Sequence, residues 1–169
     1  MIDVYLGLGS NLAEPEQQIC AALNALAKLS HTQIKCCSSL YGSVPMGPQD
    51  QADYVNAVVF IQTQLAPLVL LKALQTIELE QGRVRKAQRW GPRTLDIDIL
   101  LYGEQQIDGS ELVVPHYGMK EREFVLFPLF EISPKLSLPD GELLADLIQQ
   151  CPLNSLKILS PAPIFQKNN

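Results

Sequence analysis

The chain has 169 residues, 47% hydrophobic and 18% charged, with a net charge of −5; this excludes a disordered chain and a surface that coats nucleic acid, which is basic over a whole face, and leaves room for one domain with a real core. Cys20, Cys36, Cys37 and Cys151 show neither a C-x-x-C metal spacing nor the density of a secreted disulfide scaffold. The opening residues lack the basic start and apolar run of a signal peptide, and no segment approaches the ~20 apolar residues that span a bilayer, so a cytoplasmic protein is expected.

The run Val4 to Leu8, closed by Gly9-Ser10-Asn11, predicts a strand ending in a turn. Ile19, Leu23, Leu26 and Leu29 then recur at helical spacing after Pro15, which suits a first helical turn. Ile34 to Tyr41 reads as a second strand and Tyr54 to Gln62 as a third, with Val55, Ala57, Val59 and Ile61 on one face and Tyr54, Asn56, Val58 and Phe60 on the other. The intervening Gly42 to Gln51 is rich in turn formers and longer than a hairpin requires, which points to binding. Pro67 opens a second helix that Gly82 is placed to cap. Leu95 to Tyr102 is a strand, Val125 to Ile132 is helix or strand, and Glu142 to Gln150 is a last helix. Residues 1–151 are expected to form one domain and residues 152–169 a loosely held tail. Interspersed strands and helices with short links predict an α+β fold: a ferredoxin-like α/β sandwich with a mainly antiparallel sheet and helices on both faces.

Five of the 13 cations, Arg83, Arg85, Lys86, Arg89 and Arg93, fall within residues 82–93 of this acidic chain. Guanidinium groups bind phosphate oxygens through paired, charge-assisted hydrogen bonds, so the segment reads as a loop that closes on phosphates; a solvated basic loop or a nucleic-acid contact is the alternative. Directly after it, Asp96 and Asp98 alternate with apolar Leu95, Ile97 and Ile99, so both carboxylates face one way. Their side chains start ~7 Å apart on a strand, a spacing that holds one magnesium ion jointly or shares two. Gly7-Leu8-Gly9-Ser10-Asn11-Leu12 lacks the third glycine of a dinucleotide fingerprint and no P-loop is present, so arginines and metal must hold any phosphates. Tyr54 and Asn56 offer an aromatic plane beside an amide on one strand face, which suits a flat heterocycle. Phe124 is either a second wall or simple core. His116 and Tyr117 are either ligand contacts or a capped loop, and His31 reads as surface.

These residues resemble the 6-hydroxymethyl-7,8-dihydropterin pyrophosphokinase family. The resemblance runs from Gly7-Leu8-Gly9-Ser10-Asn11-Leu12 through Gly47-Pro48-Gln49-Asp50-Gln51 and Tyr54-Val55-Asn56 to about Asp140-Gly141. Its most specific stretch contains Gln81-Gly82-Arg83-Val84-Arg85 and Arg89-Trp90-Gly91-Pro92-Arg93-Thr94-Leu95-Asp96-Ile97-Asp98, and Val114-Pro115-His116-Tyr117 and Arg122-Glu123-Phe124 complete it. It implies transfer of pyrophosphate from ATP to the pterin hydroxymethyl group in folate synthesis, with release of AMP. It also implies that Asp96 and Asp98 bind two magnesium ions, and that Arg83 and Arg93 stabilise the transition state as their loop closes. Tyr54 and Phe124 would sandwich the pterin, Asn56 would read its edge, and Ser43, Val44 and Met46 would line the same pocket. Gln75, Glu78, Arg85, Trp90, Ile99, His116, Tyr117 and Arg122 match positions around ATP. Ser43 and Met46 stand where threonine and leucine are frequent in the family, and Glu111 where some relatives carry an arginine near the nucleotide.

Two other readings remain at this stage: a ferredoxin-like module that binds nucleotide or RNA without chemistry, and an ATP-dependent enzyme acting on a different heterocyclic alcohol. The acidic charge and the carboxylate pair favour the pyrophosphokinase. The expected partners are ATP and the pterin, with no nucleic acid and no membrane, and a monomer is expected.

Overall fold

In the computed structural model, which describes residues 1–82 and 94–165, the first strand, β1, spans Ile2–Ser10. In chain order α1 (Pro15–Ala27), β2 (Thr32–Cys37), β3 (Leu40–Ser43), β4 (Tyr54–Thr63), α2 (Pro67–Glu80) and β5 (Asp96–Tyr102) follow. A short hairpin, β6 (Ile107–Asp108) and β7 (Val113–Val114), leads to a 3-10 turn at Met119–Glu121, then α3 (Glu123–Ile132), α4 (Leu144–Gln150) and β8 (Lys157–Ser160). The main sheet has the order β5-β1-β4-β3-β8, with β2 also paired to β4, and these pairings are all antiparallel.

Alternation along the strands divides the core in two. Val4, Leu6 and Leu8 of β1, Val55, Ala57, Val59 and Ile61 of β4, and Ile97 and Ile99 of β5 pack with α1 and α2. Tyr5, Val58, Leu100 and Leu101 face the other way, against α3 and α4. The expected α+β sandwich is therefore present, antiparallel, with helices on both faces. Helix α2 ends at Glu80, and Gly82 follows with φ +85°, the left-handed conformation that glycine adopts freely. No described helix is long and apolar enough to cross a membrane.

The structure corrects two readings and decides a third that was open between helix and strand. The expected strand from Ile34 to Tyr41 is two strands that pair with successive halves of β4. The break falls at Ser38, whose backbone N–H donates to the Val58 carbonyl while its hydroxyl accepts the Val58 N–H, each at 2.9 Å, so both N–H groups stay paired across the interruption. The segment Val125 to Ile132 is helical, and Val125, Leu126 and Leu129 bury at helical spacing. The tail is not loose throughout: β8 extends the sheet beside β3, with Tyr41 opposite Ile158 and Gly42 opposite Lys157. Its four residues are too short and too exposed for periodicity to reveal.

Gly42 is the contact point for this last strand. A Cβ there would lie 3.1 to 3.3 Å from three atoms of the Leu159 side chain, which would have to give by a few tenths of an ångström. Gly42→Ala should therefore cost about 1 kcal/mol or somewhat more in stability, read from the urea midpoint, and the cost should shrink or vanish in a Leu159→Ala background.

Candidate active site

Helices α3 and α4 cover only part of their face of the sheet. The remainder is a cleft of about 250 Å³, lined by the ends of β1, β4 and β5 and by residues preceding and opening α3. Its floor is made by glycine: Gly7 pairs with Asp98 and Gly9 with Asp96 across β1 and β5. Neighbours in register share a face of the sheet, so each carboxylate has no side chain beside it on β1. Asp96 and Asp98 both line the cleft, and the Asp98 side chain keeps 41% of its exposure. A carboxylate pair ~7 Å apart at its roots, open to solvent and flanked by bare backbone, suits a hard divalent cation that takes its other oxygens from water or phosphate.

β5 is an edge strand, and its outer edge is covered piece by piece. The buried Glu78 carboxylate of α2 accepts the Ile97 N–H at 2.7 Å, and the His116 N–H donates to the Leu100 carbonyl at 3.0 Å. The second bond places His116 beside the acidic pair, with Nε2 3.6 Å from an Asp98 oxygen. Its other ring nitrogen, Nδ1, accepts the Gly118 N–H at 3.2 Å, so the neutral ring carries its proton on Nε2. Burial, aided by the Arg122 charge and opposed by Asp96, pushes its pKa down to about 4, and the ring is neutral at neutral pH.

The opposite side of the cleft is aromatic and amide in character. Tyr54 and Asn56 project into it from β4, with Phe124 facing them from the start of α3. The Asn56 amide, 5% exposed, donates to the Ser43 hydroxyl at 2.8 Å, which fixes its orientation and leaves its carbonyl oxygen next to Gly9. Val44 and Met46 line the rim and are about half exposed. The Arg122 guanidinium lies 5.3 Å from the Tyr117 ring centre and 5.9 Å from that of Phe124, so it joins the two sides. It rests on Gly118, where a Cβ would come within 2.6 Å of it.

The cleft thus unites Asp96, Asp98, His116, Tyr117, Arg122, Ser43, Val44, Met46, Tyr54, Asn56 and Phe124. Gln75 and Glu78 lie on α2, behind the sheet, and the Ile99 side chain is buried in the core on that side. Any contact of Ile99 with a ligand must come from its main chain. Arg83, Arg85, Trp90 and Arg93 fall outside the described residues. Glu111 is exposed in the turn between β6 and β7.

Sequence reasoning treated Ser10 and Asn11 only as a turn, yet they tie two loops to the site. Asn11, 3% exposed, donates at 2.9 Å to both the Gln51 side chain and the Ala52 carbonyl, anchoring the far end of the loop that carries Val44 and Met46. The Ser10 hydroxyl donates to the Thr94 carbonyl, where the arginine-rich segment rejoins the sheet. Only their position directly after Gly9 hinted at this. Asn11→Ala should lower stability by about 1 to 3 kcal/mol and speed amide exchange in residues 44–53 more than in β4. Equal exchange of residues 44–53 in the parent and in Asn11→Ala would refute the anchor.

Comparison with known proteins places the chain. Residues 5–134 match the family described as 7,8-dihydro-6-hydroxymethylpterin-pyrophosphokinase (HPPK). A 2-amino-4-hydroxy-6-hydroxymethyldihydropteridine pyrophosphokinase of Pseudomonas aeruginosa is 56% identical over 94% of this chain and 98% of its own length. The Haemophilus influenzae protein of the same name is 53% identical over 95% of this chain and all of its own. Among solved structures, Plasmodium falciparum HPPK-DHPS with pteroate superposes with a TM-score of 0.69 at 16% identity, covering 88% of this chain and 42% of that longer one. That likeness concerns the fold alone, the ferredoxin-like fold of HPPK domains.

Proposed function

Because the chain belongs to the 7,8-dihydro-6-hydroxymethylpterin-pyrophosphokinase family, and so is an ATP-dependent diphosphokinase of folate biosynthesis, we propose that the cleft between Asp96, Asp98 and Phe124 is where it moves pyrophosphate from ATP to 6-hydroxymethyl-7,8-dihydropterin. The observation that carries this reading is the union in one cleft of an open carboxylate pair and an aromatic, amide-bearing slot. In the reaction the pterin hydroxymethyl oxygen bonds to the β-phosphorus of ATP, the bond from that phosphorus to the α-phosphate oxygen breaks, and AMP leaves. The hydroxyl proton passes to solvent.

Asp96 and Asp98 would hold two magnesium ions; bound there, the metal supplies charge neutralisation of the triphosphate and acidifies the attacking hydroxyl. Every other role falls to the chain. Tyr54 and Phe124 hold the flat pterin between them and Asn56 pairs with its edge, while Ser43, Val44 and Met46 close the pocket. His116, neutral with its proton on Nε2, is a donor to phosphate oxygen, and Tyr117 and Arg122 flank it. Gln75, Glu78 and the Ile99 main chain complete the nucleotide side, together with Arg85 and Trp90. Arg83 and Arg93 would bring positive charge to the transferring group. The net charge of −5 favours small-molecule substrates over nucleic acid, and the protein is proposed to act as a monomer in the cytoplasm.

Phosphorus NMR of the protein with ATP, magnesium and the pterin should show AMP and a pterin diphosphate; ADP in place of AMP would overturn the proposed chemistry. Asp98→Ala should lower turnover by ~1,000-fold or more, equivalent to ~4 kcal/mol of transition-state stabilisation, with an unchanged circular dichroism spectrum. Full activity in that variant would remove the metal assignment.

A further inference from the structure

The Glu131 carboxylate, at the far end of α3 from Phe124, gathers three donors from the chain around β3. The Ser39 N–H and the Ser39 hydroxyl each reach one oxygen at 2.9 Å, and the Tyr41 hydroxyl donates to the other. Tyr41 is 7% exposed, and burial together with this bond raises its pKa, so it remains a donor. One residue past the end of α3, the Ser133 and Tyr5 hydroxyls meet at 2.8 Å and tie the same end to β1.

Both ends of this link lead to the pterin slot. On the sheet side, Tyr41 pairs in register with Asn56, and Ser43, two residues on and on the same face, accepts the Asn56 amide. On the helix side, Phe124 and Glu131 are seven residues apart, two turns or ~10 Å of one helix, so they share a face of α3, with Pro128 packed in the core between them. The gap between Phe124 and the sheet is therefore set by how α3 seats on β3 and β4, and a polar tie with defined geometry fixes that seat more sharply than apolar packing, which tolerates sliding.

We propose that Glu131 and Tyr41 are positioning residues that set the width of the pterin slot, although neither lines the cleft. This rests on the assignment of the pterin to the slot between Tyr54 and Phe124. A stacked, flat ligand is sensitive to sub-ångström changes in the gap, whereas the nucleotide side is built on β5 and the turn at His116, away from this link.

The test measures dissociation constants for the pterin and, separately, for a non-hydrolysable ATP analogue with magnesium, in Tyr41→Phe, Glu131→Ala and the double variant, with Tyr54→Ala as a control for the pocket. Irreversibly misfolded protein lowers the number of sites and not the dissociation constant, and reversible unfolding weakens both ligands by the same factor, so neither mimics a loss confined to the pterin. The pterin constant should rise about three- to tenfold in Tyr41→Phe and in Glu131→Ala, with the double variant no worse than the stronger single one, as for one shared interaction. The nucleotide constant should stay within about twofold of the parent. Unchanged pterin binding in the two variants, while Tyr54→Ala weakens it, would overturn the positioning role. Equal loss for pterin and nucleotide would overturn it too, by showing general loosening of the fold. Undiminished pterin binding in Tyr54→Ala would overturn the pocket assignment itself and this proposal with it.

Discussion

The site depends on one feature of strand pairing: two glycines of β1 stand in register with two aspartates of β5. Gly7 opposite Asp98 and Gly9 opposite Asp96 put bare backbone beside carboxylates on the face that α3 and α4 leave open. Side chains at either glycine would stand on the cleft floor: a Cβ at Gly7 comes within 3.4 Å of Leu100, and one at Gly9 within 3.5 Å of the Asn56 carbonyl oxygen. The same alternation sends Val4, Leu6 and Leu8 into the opposite core. The strand that empties the cleft thus also anchors the fold, and the carboxylates are held by a regular strand pairing rather than by a loop.

Around that rigid floor the chain attaches its less regular parts at a few points. Ser10 and Asn11, at the end of β1, receive the segment that returns at Thr94 and the loop that returns at Ala52. Glu78 and His116 satisfy the outer edge of β5, which would otherwise invite another strand. The Glu78 carboxylate accepts that N–H at 3% exposure, a polar bond in an apolar setting that fixes α2 against the strand bearing the aspartates.

What could be read from sequence follows the range of each signal. The alternation in β4 and β5 is local, so the facing of Asp96, Asp98, Tyr54 and Asn56 was legible. The side on which α3 closes was not, so Phe124 stood between ligand wall and core, and His116 between ligand contact and capped loop, until packing placed them in the cleft. The break at Ser38 was hidden because a serine hydroxyl replaced a ladder bond within an otherwise strand-like run. Strand β8 was hidden because its partner, β3, lies more than a hundred residues earlier, and four largely exposed residues carry no period. Nothing local to the sequence marks Glu131; only the fold brings Ser39 and Tyr41 to it.

The charge distribution gives the cleft an order of assembly on the proposed assignment. The chain is acidic overall, its cations are concentrated in residues 83–93, and the cleft centre holds two carboxylates. A bare triphosphate approaching Asp96 and Asp98 would meet like charge, and at ~4 Å each such pair costs about 4 kcal/mol in a partly screened environment. A divalent cation bound between them reverses the sign of that term, so the site favours the metal–nucleotide complex over free nucleotide. His116 fits this logic: held neutral by burial and by Arg122, it offers a proton on Nε2 without adding a charge that would compete with the metal for Asp98. The aromatic slot needs no such neutralisation, and its demands are geometric, which is why the two halves of one cleft are secured by different means.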